Sequence, residues 1–282
     1  MVLDLRPSPI AGTWYEGDPA ALAESVDEYL SRAVLPKLQG QVVGVIAPHA
    51  GHIYSGPVAG HAFAALKGRD PDLVAVISPF HNYHDSPLLI SSHEAYATPL
   101  GAVPINHLAV EQLDAGLRES LGFGMTPIRR DREHSLEIEL PFLQRALTQP
   151  FQLLPVMVRA QHPDVSRALG RALAAVLRGK NYLLVASTDL SHFFEQNIAN
   201  RLDGEMLHQM EAFSPGGMFA AEASGKGFAC GLAAAAAILW AAQELGADSV
   251  KVLSHATSGD VTGDYSSVVG YGAVAILNSR TV

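Results

Sequence analysis

Val42-Val43-Gly44-Val45-Ile46-Ala47 is a short, nearly all-apolar run that ends on Pro48-His49-Ala50-Gly51-His52. A run of this length without alternation reads as a strand covered on both faces. Similar runs occur at Leu73–Ile77, Leu153–Val158, Tyr182–Ala186, Val250–Leu253 and Val268–Leu277. Helical stretches lie between them, among them Pro57–Leu66, Ser135–Leu147, Val165–Leu177 and Gly231–Leu245. Buried strands alternating with helices predict an α/β fold, a three-layer αβα sandwich around a mostly parallel sheet. Leu88–Ile90 and Val103–Ile105 read as extra, edge strands, which would make the sheet mixed. Asp18-Pro19 reads as an N-cap with proline at the first helical position, opening a helix through Leu22, Val26 and Leu30. The Pro- and Gly-rich opening through Gly17 is expected to wrap irregularly over the surface. No repeat or linker interrupts the chain, so residues 1–282 are expected to form a single domain.

The functional signal lies at the carboxyl ends of the buried runs. The run ending at Ala47 leads to His49, the run ending at Ile77 to His81, the run ending at Ala186 to Asp189 and His192, and the run ending at Leu253 to His255. In open α/β sheets ligands bind beyond the carboxyl ends of the strands. His49 and His81 are the best ligand candidates, because each sits on a strand exit rather than on a long loop.

Composition narrows the classes of partner. A formal net charge of -9, with no block of Lys and Arg, argues against nucleic acid and against anionic membranes. Cys230 is the single cysteine, so no disulfide forms within the chain. The start Met1-Val-Leu-Asp-Leu-Arg lacks signal-peptide character, and the apolar stretch Phe228–Ala242 is too short to span a bilayer. The expected location is cytoplasmic.

Cys230 directly precedes an Ala-rich helical stretch, where the helix dipole would favour a thiolate. That thiolate could be a ligand or a nucleophile, and a small buried hydrophobe is the alternative. Asp189 and His192 would share a face if the chain turned helical there, giving a ligand pair or a base oriented by a carboxylate. His134 and Glu137 read equally as a stabilising pair and as catalytic groups. Gly-x-Ser-x-Gly and His-Glu-x-x-His are both absent, which disfavours a serine hydrolase and excludes a helix-borne zinc protease site.

Pro48-His-Ala-Gly-His-Ile-Tyr-Ser-Gly56 resembles the opening motif of the Memo family, whose prokaryotic members are called AmmeMemoRadiSam system protein B. The resemblance runs on through Ser78-Pro-Phe-His81, Ala97-Thr-Pro-Leu-Gly101, Glu133-His-Ser-Leu-Glu137, Ser187-Thr-Asp-Leu-Ser-His192, Ala229-Cys-Gly231 and Gly263-Asp-Tyr265. It implies a fold like that of class III extradiol dioxygenases, which are non-haem iron enzymes. It implies His49, His81 and Cys230 as metal ligands, with His192 near the acid–base position and Asp189 beside it. Phe80 departs from the family's Pro-Asn-His at the second motif, which touches the surroundings of His81 rather than the ligand itself.

The resemblance implies a metal-dependent redox protein or enzyme acting on a small molecule, with iron as the first candidate and copper or zinc also suited to imidazole and thiolate. A peptide- or protein-binding module retaining a metal pocket is the other reading, since eukaryotic Memo proteins are regarded as phosphotyrosine-peptide adaptors. Amme-type and radical-SAM proteins are the implied partners. A zinc hydrolase is the third reading.

Overall fold

The computed structural model describes residues 3–280. In chain order the strands are β1 (Leu5–Arg6), β2 (Gln41–Ala47), β3 (Leu73–Pro79), β4 (Leu88–Ser91), β5 (Ala95–Thr98), β6 (Gly101–Pro104), β7 (Thr126–Ile128), β8 (Gln152–Val158), β9 (Tyr182–Ser187), β10 (His192–Phe194), β11 (Ser249–Thr257) and β12 (Val268–Asn278). The helices are α1 (Pro19–Arg32), α2 (His52–Ala64), α3 (His107–Leu121), α4 (Leu140–Ala146), α5 (Pro163–Leu177), α6 (Gln196–Glu211), α7 (Pro215–Ala223), α8 (Leu232–Glu244) and α9 (Gly259–Thr262).

A nine-stranded mixed sheet runs in the order β10-β12-β2-β9-β3-β8-β4-β7, with β11 also paired to β12. Its middle, β2-β9-β3-β8, is parallel, and antiparallel β12 and β4 flank it. Side chains of a strand alternate between the two faces, and β3 does so cleanly. Leu73, Ala75 and Ile77 join a core with α3, α5 and α8. Val74 and Val76 join a second core with α1, α2 and α4 on the opposite face. Because both faces are covered, the central strands β2, β9, β3 and β8 are largely apolar, and the fold is the expected three-layer sandwich. No helix among the described residues is long and apolar enough to cross a membrane.

Local signals explain most boundaries. Asp18 Oδ1 accepts from the amides of Ala20 and Ala21, so α1 opens at Pro19 as its cap predicts. By contrast, α2 opens at His52, upstream of the expected Pro57, because the Trp14 carbonyl takes the His52 amide and the Gly51 carbonyl takes that of Ser55. The Val103–Ile105 expectation is corrected: β6 lies in a separate three-stranded sheet with β5 and β1, joined to β8 only through an isolated bridge at Ile105. Gly101, at φ 119°, makes the turn that folds β6 back on β5.

Two further expectations change in part. The opening segment lies largely at the surface, as expected, but is anchored there: Ile10 and Tyr15 are core residues and Arg6 is 1% exposed. Buried partners waiting for Arg6 across the chain, Asp131 and Glu137, pull the segment in. Strand β11 does not end at Leu253 but runs to Thr257, so His255 lies inside it, with Nε2 2.9 Å from Asp203 Oδ2.

His52 generates a pH prediction. Its ring is packed among Tyr15, Tyr29 and Phe142, Nε2 donates to the Ile138 carbonyl, and burial lowers its pKa to about 4. The unfolded chain therefore binds a proton that the folded chain refuses, and stability falls as pH drops below the ordinary histidine range. Between pH 7 and 4.5 this group alone should cost about 2–3 kcal/mol of unfolding free energy. Urea melts of wild type and His52→Gln at both pH values check this: the substitution should reduce the acid-induced loss by that amount.

Candidate metal centre

β9 lies between β2 and β3, so the residues just past these three strands are neighbours. His49 comes after β2, Asp189 after β9, and His81 after β3. Two loops complete the cluster: one carries Glu133 and His134, and the other carries Cys230 immediately before α8.

The His49 ring is 2% exposed, and its Nδ1 lies 2.9 Å from Ser187 Oγ. Ser187 gives its own hydroxyl proton to the Ser135 carbonyl, so Nδ1 is the donor and Nε2 is left as a free acceptor. That Nε2 lies 3.1 Å from Cys230 Sγ and 4.0 Å from Asp189 Oδ2. His81 is fixed in the same way: Nδ1 donates to Glu133 Oε1 at 2.9 Å and its amide donates to Oε2 at 2.6 Å. The His134 amide also donates to Glu133 Oε1, and its ring stacks on His81 with centroids 4.9 Å apart. His49, His81 and His134 each offer a ligand atom, all within 4.8 Å of one another.

Electrostatics keep most of these rings neutral. Burial, reinforced by the neighbouring imidazoles, holds His49 well below the ordinary histidine range. Burial lowers His134 to about 4 against the pull of Glu133, and it lowers His192 as well. His81 goes the other way: burial opposes charge, but its hydrogen bond and ion pair with Glu133 win and raise it. Asp189 is pushed up to about 7 by burial, although it accepts from the amides of His49 and Ala50. Burial and then the charge of Asp189 push the Cys230 thiol up in the metal-free protein.

Above the cluster opens a cavity of about 420 Å³ whose floor includes His49, His81, His134, Asp189 and His192 and whose walls include Trp14, Ile53, Tyr54 and Phe193. Trp14 packs on the His134 ring at 4.2 Å. Phe193 projects at the mouth, 74% exposed, on a backbone at φ 64°. That left-handed conformation is costly for an aromatic residue, and strained positions of this kind cluster at functional sites. It sits where the β10–β12 register shifts, between His192 and Phe194.

His49, His81, Asp189 and His192 line one cavity, while Cys230 touches His49 and the Asp189 amide and is not among the residues that line it. Asp189 and His192 do not pair, because the segment is extended rather than helical and His192 Nδ1 donates to the Leu190 carbonyl. His134 and Glu137 do not pair either: Glu137 turns to Arg6, Ser8 and Tyr15. Glu133, Ser187 and Trp14 are site residues that the motifs alone do not single out. Glu133 stands next to a candidate histidine and ahead of a helical turn, and that adjacency is the one local signal of its role.

Comparison with known proteins agrees with the motifs. A family model described as Memo-like protein matches residues 6–275. A MEMO1 family protein of Nitrosopumilus maritimus is 31% identical over 277 residues, covering 97% of this chain and 100% of that protein. One from Methanothermobacter thermautotrophicus is 36% identical over 276 residues (95% and 98% covered), and one from Thermotoga maritima is 34% identical over 277 residues (94% and 97% covered).

Removing the Glu133 charge should be visible at His81. In metal-free protein, Glu133→Gln should lower the His81 pKa, because burial then acts without the opposing hydrogen bond and charge of Glu133. Stability contributed by the charged pair is present below the unfolded histidine pKa and is lost as pH rises through the raised folded value. An NMR titration of the His81 ring in both proteins checks the sign, and an unchanged midpoint would refute the coupling.

Proposed function

This chain belongs to the family of Memo-like proteins, and from that premise we propose that it is a metal-dependent redox protein acting on a small molecule. His49, His81 and Cys230 are the ligands in this reading, with His134 the imidazole standing beside them. The observation that carries it is the meeting of the ring nitrogens of His49, His81 and His134 within 4.8 Å of one another, with the Cys230 sulfur 3.1 Å from Nε2 of His49. The donor chemistry fits a transition metal, since imidazole and thiolate together suit iron, copper and zinc, and carboxylate or serine contacts to the far ring nitrogens are the usual outer support of such ligands. Bound iron or copper would supply electron transfer to and from the substrate.

The chain's own residues do the rest. Glu133 and Ser187 fix the rings of His81 and His49 so that neither must reorganise on binding. His192 donates through Nδ1 to Leu190, leaving Nε2 as a base that can take a proton from a substrate in the cavity. Asp189 holds the His49 backbone and is a second group able to hold or release a proton. Trp14, Ile53, Tyr54 and Phe193 give the cavity apolar walls that exclude water around a bound molecule.

Metal analysis after anaerobic purification, with Co(II) substitution, tests the ligand set. His49→Ala and His81→Ala should lose the metal, Cys230→Ser should lose the sulfur-to-cobalt charge-transfer band, and His134→Ala should keep near-stoichiometric metal. Loss of metal in His134→Ala with full retention in Cys230→Ser would replace the thiolate by a three-imidazole centre. No metal uptake by folded wild type would refute the proposal.

A further inference from the structure

Arg6 is a cation with almost no solvent exposure, drawn from the opening segment to lie beside residues more than a hundred positions away. Its guanidinium is used in three directions. Nε and Nη2 donate to the Asp131 carboxylate, at 3.1 and 2.5 Å for the shortest contact of each. Nη1 donates to Glu137 Oε2 at 2.6 Å, and Nη2 donates to the Glu133 carbonyl at 2.5 Å. The ring of Tyr96 supports the guanidinium, with its centroid 4.8 Å from Cζ.

Two of these contacts grip the same residue. The Glu133 carbonyl is held by Arg6 directly, and the Glu133 amide donates to Asp131 Oδ1 at 3.2 Å, an oxygen that Arg6 itself fixes. Glu133 in turn accepts from the His81 ring, the His81 amide and the His134 amide. A second arm runs through Glu137, which accepts from Tyr15, the neighbour of the Trp14 that packs on His134. A network needed only for stability could bind Arg6 anywhere along its length. This one closes on both backbone groups of the residue whose carboxylate takes the His81 ring and holds the His134 amide.

We propose that Arg6 is a positioning residue for the metal centre, acting through Glu133 on His81 and His134. The inference rests on the metal-dependent reading of the site. Lysine cannot replace it, because one ammonium cannot span Asp131, Glu137 and the Glu133 carbonyl as a planar fork does. Outer-shell partners of metal-binding histidines typically change metal affinity about 10–100-fold when removed, and Arg6 stands one residue further out, at the lower end of that range.

The test uses the full chain and Co(II) as the probe. Wild type, Arg6→Met, Arg6→Lys and Asp131→Asn are checked for native near-UV circular dichroism. Co(II) affinity is then measured by chelator competition, and the His81 ring ¹⁵N shifts are recorded in metal-free protein. Arg6→Met should bind Co(II) about tenfold more weakly and lose the single Nδ1–H tautomer of His81, with Arg6→Lys in between. If Arg6→Met does not fold, Asp131→Asn carries the test and should shift both readouts in the same direction. Wild-type affinity and unchanged His81 shifts in any folded variant would overturn the assignment. If wild type itself binds no Co(II), the metal reading fails instead, and the His81 shifts alone decide whether Arg6 positions that ring.

Discussion

Burying a carboxylate is tolerable only when donors occupy its oxygens, and Glu133 meets that requirement with the residues of the site itself. Oε1 accepts from the His81 ring and from the amides of His134 and Ser135, and Oε2 accepts from the His81 amide. These bonds hold its pKa well below the usual carboxylate range against the penalty of burial. The satisfaction of one buried charge and the orientation of two histidines are therefore the same set of hydrogen bonds. Asp189 repeats the device for His49, taking that residue's amide and the next, while Ser187 takes the ring. Ser187 ends β9 and Asp189 follows it directly, so the support of His49 inherits the rigidity of the sheet, whereas Glu133 reaches His81 from a loop.

Much of this is legible in the sequence because it is local. Apolar runs without alternation read as strands covered on both faces, and β2, β3, β8, β9 and β12 lie where the runs lie. His49 and His81 can be read as site residues because a strand exit fixes their place without knowledge of any partner. The features that stay hidden depend on distant partners. Helical spacing sets His134 beside Glu137, but a short 3-10 turn at Glu137–Glu139 replaces the first helical turn and sends the two side chains apart. The environment of Cys230 depends on Asp189, far away in the chain, and a dipole argument built on the adjacent helix misses it. The opening segment reads as peripheral because nothing in its composition announces that Arg6 is enclosed.

The mouth of the cavity shows a different economy. Phe193 is aromatic, largely exposed and held in a left-handed backbone conformation. Such a residue contributes little to the core, and its conformation costs of order 1–3 kcal/mol. The surrounding ladder holds it there: His192 and Phe194 on either side remain registered with β12. Local stability has been given up at an exposed residue of the cavity lining, next to His192, which lines the same cavity.

The position of β12 has a consequence for how such a protein is made. Last of the strands in chain order, it lies inside the sheet, hydrogen-bonded to β11, β2 and β10. During vectorial synthesis β2 leaves the ribosome well before β12 and must wait, one edge open, until β12 has been translated. An open apolar edge is a template for pairing with the wrong chain, and closing contacts of such sequence separation is slow. A nascent chain therefore holds His49 and His81 on an unfinished scaffold until β12 has been made and paired with β2.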